Sequence, residues 1–183
     1  LICIFVVRFF GLFELKIKIS GLELGTNELE FTGKVEELGL DAPFYGNFKL
    51  NITFEKSHHQ LLATINLQVN ASFECDRCIA EFNSQRDINF TLLYLFDEES
   101  RETDDPDVNY LSREADKIDI STEIYDYAYL DIPFKILCME ECKGLCPKCG
   151  ADLNQGDCGC PKEEFNPLWS DLEKLRDELE NEE

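Results

Sequence analysis

Eight of the nine cysteines in this chain fall into four close pairs, Cys75/Cys78, Cys138/Cys142, Cys146/Cys149 and Cys158/Cys160, and no other feature limits the fold as strongly. Two sulfurs at such spacings can meet on one tetrahedral metal ion, and two pairs complete a four-thiolate site. The count allows two structural zinc ions. In Cys146-Pro147-Lys148-Cys149-Gly150 the two-residue gap, with proline inside and glycine behind, makes a tight turn that aims both thiolates at one point. Gly150 supplies the positive φ that such a turn needs. The mate of this knuckle is Cys158-Gly159-Cys160, where a one-residue spacing in extended chain puts both sulfurs on one face and Gly159 clears the closest approach. The other two pairs, Cys75-Asp76-Arg77-Cys78 and Cys138-Met139-Glu140-Glu141-Cys142, would share a second ion and pin a C-terminal module onto the body before it.

Three other uses of the thiols compete. Disulfides fit poorly with an odd cysteine count and no convincing signal peptide, so reduced thiols in a cytoplasmic protein are expected. Joining Cys138/Cys142 to Cys146/Cys149 on one ion would leave the first and last pairs unmatched. A redox role for Cys75/Cys78 needs a strand feeding a helix, whose terminus lowers one thiol pKa, whereas strand patterns flank this pair on both sides.

The chain of 183 residues is long enough for one real core and a small appended module. Its 17 basic and 38 acidic residues give a net charge of −21, and two zinc ions on eight thiolates would take it to about −25. A bare polyphosphate is repelled by such a surface and a basic protein is attracted. Even the cysteine-rich stretch from Asp131 to Phe165 sets only Lys135, Lys143, Lys148 and Lys162 against seven acids. Tight direct RNA binding is therefore disfavoured. It stays as an alternative, as does a thiol redox sensor.

The first thirteen residues are apolar apart from Arg8, yet they fall short of the ~20 needed to span a bilayer, and no small-residue cleavage site follows. Residues 1–14, with Cys3, are expected to be an upstream extension outside the fold; a signal-peptide core is the rival reading. From residue 15 to 96 the period is two. Leu15, Ile17 and Ile19 alternate with Lys16, Lys18 and Ser20; Asn27 to Phe31 is a weaker strand; Phe48 to Phe54 and Leu62 to Ala71 form an antiparallel hairpin; Ile88 to Phe96 is a third long strand. An antiparallel meander or partial barrel would bury these rows, with Cys75/Cys78 capping one reversal.

Residues 97–116 then read as an acidic linker, its first eleven carrying seven acids and one Arg. Residues 117–137 hold a short strand and a helix, with Ser121 and Thr122 as caps and Ile124, Tyr127 and Ala128 on one face before Pro133. The metal module spans 138–165 and resembles a zinc ribbon. Residues 166–183 form an acidic amphipathic helix opened by Asn166-Pro167, its stripe made of Leu168, Leu172, Leu175 and Leu179. The fold class is α+β. His58 and His59 sit in a hairpin turn without ligand company, and no phosphate loop, nucleophile elbow or metalloprotease pattern occurs, so an enzyme is not expected.

Several motifs recur in one order: Phe73-Glu74-Cys75-Asp76-Arg77-Cys78, Asp131-Ile132-Pro133-Phe134, Cys142 to Gly150, Asp152-Leu153-Asn154 and Asn166-Pro167-Leu168. In this combination, from about Leu15 to the C-terminus, the chain resembles the bacterial and plastid YceD family, the large ribosomal RNA subunit accumulation proteins. The resemblance implies a non-enzymatic ribosome-biogenesis factor that supports accumulation or processing of large-subunit ribosomal RNA. Its expected partners are a basic ribosomal protein or the immature large subunit.

Overall fold

The period-two rows fold as strands. In the computed structural model, residues 5–9, 12–96, 108–112 and 114–161 are described, and the chain divides into two units, Leu1–Cys138 and Met139–Glu183. The elements of the first unit are strands β1 (Phe5–Phe9), β2 (Leu12–Lys18), β3 (Gly25–Lys34), β4 (Phe44–Lys56), β5 (Gln60–Glu74), β6 (Glu81–Phe96), β7 (Val108–Leu111) and β8 (Lys117–Asp119), then helix α1 (Ser121–Leu130). A short 3-10 turn, Val35–Leu38, lies between β3 and β4.

Among the described residues the strands form two sheets, where a single meander or partial barrel was expected. The larger has the order β3-β4-β5-β6-β7 and the smaller β1-β2-β8. In the larger sheet β4, β5 and β6 turn one apolar row inward: Leu50, Ile52 and Phe54, then Ile65 and Leu67, then Ile88, Phe90 and Leu92 are all buried. Each such side chain removed from water contributes roughly 1.5–3 kcal/mol, which makes this row the main source of stability. At the β4–β5 reversal the Ser57 hydroxyl accepts the backbone N–H groups of His59 and Gln60, leaving His58 and His59 exposed as the sequence suggests.

The expected Leu15–Ile19 strand exists as β2, but its partners are β1 and β8, so it leaves the meander for the second sheet. β1 lies within residues 1–14, the stretch expected to stand apart; its backbone pairs with β2 from Phe5↔Lys16 to Phe9↔Leu12. β7 lies inside the expected 97–116 linker and runs parallel to β6, with Leu93 opposite Val108. Residues 97–107 fall outside the described residues, as do Cys3 and the whole expected helix 166–183 with Trp169.

Helix α1 closes the core where the sequence places it. Ile124 and Ala128 are fully buried, and Tyr127 stacks on Phe90 with ring centroids 4.2 Å apart. Its cap differs from expectation, because Ile120 occupies the capping position without a side-chain bond. Ser121 is drawn elsewhere: its hydroxyl donates to Asp119 and accepts the N–H of Leu15, tying α1 to β2. The helix ends at Leu130, before Pro133. With one α-helix among the described residues, one antiparallel sheet and one mixed sheet, the first unit is α+β. No helix among the described residues is long and apolar enough to cross a membrane.

Candidate metal centre

The long β5–β6 hairpin, registered from Gln60↔Leu95 to Glu74↔Glu81, ends in the loop that carries Cys75 and Cys78. Cys75 N–H donates to the Ala80 carbonyl at 3.0 Å, and Ile79 N–H donates back to the Cys75 carbonyl at 2.9 Å. This closure forces Ile79 to a φ of 59°, a left-handed conformation that β-branched residues rarely adopt. It also folds the loop so that both sulfurs turn to the same side. Cys75 and Cys78 are buried, and Cys138 brings its sulfur to 3.6 Å from that of Cys78.

Two clamps deliver Cys138. Arg86 on β6 grips the end of α1, with its guanidinium 2.6 Å from the Asp131 carboxylate and 2.9 Å from the Asp131 carbonyl. Nearer the thiols, Asp76 N–H donates to the Ile136 carbonyl at 2.8 Å while the Asp76 carboxylate accepts the Ile136 N–H at 2.6 Å. A residue between two cysteines thereby fixes the segment two positions ahead of the third. The sulfurs of Cys75, Cys78 and Cys138 all lie within 4.8 Å of one another.

The second unit repeats the same knuckle. Cys146 N–H donates to the Ala151 carbonyl, and Gly150 N–H donates to the Cys146 carbonyl, both at 2.8 Å. Gly150 has a φ of 73°, the role foreseen for it. Cys158 and Cys160, with Gly159 at a φ of 70° between them, complete a set with Cys146 and Cys149 whose four sulfurs lie within 4.8 Å. Cys142 is buried in the same unit. Its sulfur accepts the Asn154 side-chain N–H at 3.4 Å, while the Asn154 side-chain oxygen accepts the Lys143 N–H at 2.8 Å. Asn154 is itself held by Asp152, whose carboxylate accepts its backbone N–H at 2.9 Å.

Four thiolates at ~2.3 Å from a zinc ion stand about 3.8 Å apart, so both gatherings are compatible with zinc in donor type and in size. One thiol in each gathering, Cys75 and Cys146, is biased toward the charged form that ligation needs. Backbone N–H groups of Cys149 and Lys148 bring the Cys146 thiol down to about 6. At Cys75 burial works in the opposite direction, but the N–H groups of Cys138, Arg77 and Cys78 outweigh it and the thiol again falls to about 6. Cys160 is pushed up to about 12 by hydrogen bonding with Cys149 and Cys158.

Residues 63–176 match the family described as Large ribosomal RNA subunit accumulation protein YceD. The chain belongs to the YceD family. The match takes in all eight paired cysteines. A chloroplastic YceD homologue of Arabidopsis thaliana, named for large ribosomal RNA subunit accumulation, is 40% identical over 70 residues, covering 38% of this chain and 22% of its own length. An uncharacterized protein of Mycobacterium bovis is 29% identical over 128 residues, 69% of this chain and 60% of that protein. A chloroplastic YceD homologue of Zea mays is 50% identical over 48 residues, 25% of this chain and 16% of its own. The chain thus spans less than two thirds of the length of these curated relatives. No solved structure matches it.

Three residues of this YceD chain escaped the reading by cysteine spacing. Asp76 and Asn154 looked like spacers within motifs, and Ile79 carried no glycine to mark its turn. The parallel between Cys75-x-x-Cys78-Ile-Ala80 and Cys146-x-x-Cys149-Gly-Ala151 was the available signal.

Proposed function

We propose that this protein is a non-enzymatic assembly factor that supports accumulation of large-subunit ribosomal RNA by engaging a basic ribosomal protein, or the protein face of an immature large subunit. The observation that carries this reading is the YceD family match over residues 63–176. The net charge of −21 supports a basic protein partner over naked RNA, since opposite charge steers association and like charge opposes it. Cys146, Cys149, Cys158 and Cys160 hold one zinc ion in this reading, and Cys75, Cys78, Cys138 and Cys142 hold a second. Zinc bound by four thiolates is redox-inert and fastens chain segments together. Thiolate ligation needs reduced cysteines, which a cytoplasmic setting maintains.

The test is affinity capture from ribosome-rich extract at low and high salt. Basic large-subunit proteins should be recovered at low salt and released as salt rises. Recovery of none at either salt contradicts the proposal. Filter binding of naked ribosomal RNA at moderate salt should fail, and tight retention would favour direct RNA recognition instead.

A further inference from the structure

β3 is an outer strand of the larger sheet, and among the described residues no strand pairs with its far side. It is joined to β4 without interruption over ten residues, from Gly25↔Lys56 to Lys34↔Asn47, whereas β4–β5 shifts register between Tyr45 and Lys49. No residue of β3 is buried. An uninterrupted edge of this length presents a row of outward N–H and C=O groups, which proteins blunt with a bulge, a proline, a very short strand or charged side chains; of these β3 has only the charges, which repel a like-charged strand and not a basic one. Gly25–Lys34 contains no proline, its pairing shows no bulge, and it is long.

Charge selects the occupant. Glu23, Glu28, Glu30, Glu36 and Glu37 lie on or beside the strand against Lys34 alone in that stretch. Glu28 and Glu30, two residues apart, point to the same exposed face, where Lys49 already answers Glu30 at 3.2 Å. A second copy is the wrong guest: antiparallel self-pairing about Leu29 would set Glu28 of one copy opposite Glu30 of the other, and like charges directly opposed destabilise a sheet. An extended segment with lysine or arginine at alternate positions reverses that sign and satisfies the outward backbone groups at the same time.

We propose that the outer edge of β3 receives an extended, lysine- or arginine-rich protein segment as an added strand. This rests on the assembly-factor reading for its biological partner, though the edge chemistry is tested without it.

The experiment uses the full chain and a synthetic peptide of about ten residues alternating Lys and Val, beside a proline-interrupted peptide of equal charge. Hydrogen exchange should show protection gained at alternate amides of residues 25–34 with the first peptide. The proline peptide should bind about tenfold more weakly, and Glu28→Lys/Glu30→Lys should weaken the Lys-Val peptide by about tenfold or more. Equal binding of both peptides, or protection confined to another segment, overturns the proposal. So does self-association of the chain that protects the same amides, since the edge then serves a second copy. If capture of ribosomal proteins succeeds while β3 stays unprotected by the peptide, the edge assignment falls and the assembly-factor reading stands. If capture fails while the peptide protects β3, the reverse holds.

Discussion

The two knuckles share one backbone pattern and stand in opposite surroundings. Cys75 to Ala80 ends a hairpin of two long strands whose inner row is buried from Leu61 to Phe73 on β5 and from Ile88 to Tyr94 on β6, so the first unit has an apolar core of its own. Cys146 to Ala151 lies in a unit whose buried hydrophobic side chains, among the described residues, are Cys142 and Cys146 alone. Its only backbone pairing between separated segments of the β type is the bridge Leu145↔Asp152, among those residues. The lesson is that the same turn does two jobs. In the first unit a metal ion would tie down a structure that hydrophobic burial already supports, and in the second the ion would replace the core.

The largest expected effect follows from that difference. Binding of a structural zinc contributes roughly 10–16 kcal/mol, comparable to the ~5–15 kcal/mol stability of a whole domain. Cys146→Ser or Cys149→Ser should therefore unfold the second unit and leave the first intact. Limited proteolysis checks this: cleavage should appear within residues 139–161, with 12–96 resistant. Equal resistance of both regions would break the comparison.

Next in size is Asp76. Its carboxylate and N–H both hold Ile136, so Asp76→Ala should loosen the approach of Cys138 and lower zinc affinity at the first gathering by about 10–100-fold, the usual effect of losing a supporting partner. Competition with a chelator measures it. The second unit's affinity should not change.

Arg86→Ala removes a half-buried pair and the bond to the Asp131 carbonyl, leaving a carboxylate without its guanidinium. A loss of about 2 kcal/mol in the first unit is expected by urea denaturation. A smaller effect, of opposite sign, should come from Ile79→Gly. Relief of the positive φ at a β-branched residue is worth about 1–3 kcal/mol, partly offset by the extra freedom of glycine in the unfolded chain, for a net gain of about 1 kcal/mol. Gly150→Ile should destabilise the second unit, because it imports the strain that Ile79 bears.

Acid sharpens the same comparison. With its thiol lowered from 9 to about 6, Cys75 favours the native first unit through its charged form; that contribution is complete above about pH 9, partial at neutral pH, and lost as pH falls through about 6. In chelator-treated protein, where the first unit keeps its apolar core, the ultraviolet absorbance of thiolate should begin to rise near pH 6 as Cys75 titrates, well before the remaining thiols. A single step near the ordinary thiol value would contradict this.

Much of this was legible in the residues. Alternation from Phe48 to Phe54 and from Leu62 to Ala71 marks strands because a sheet with one buried face demands period two, and Ile124 with Ala128 marks a helix face for the corresponding reason. Cysteine spacing named the distal four, whose sulfurs the structure gathers within 4.8 Å, although Gly159 brings its neighbours together through a left-handed φ of 70° and not through the extended chain expected. What stayed hidden depended on contacts distant in sequence. Val108–Leu111 has no alternation to announce it and becomes a strand because β6 offers it a parallel edge. The partners of Leu15 to Lys18 lie on β1 and β8, and no local signal moves them out of the meander. Ser121 reads as a cap until its hydroxyl is found donating to Asp119 and accepting the N–H of Leu15. Asp76 reads as a spacer until Ile136, sixty residues away, meets it.

The most direct test of the central claim is metal content. Protein purified without oxygen or chelator should carry two zinc ions per chain by elemental analysis, falling to one in Cys146→Ser. Fully folded protein with no bound zinc would contradict the account.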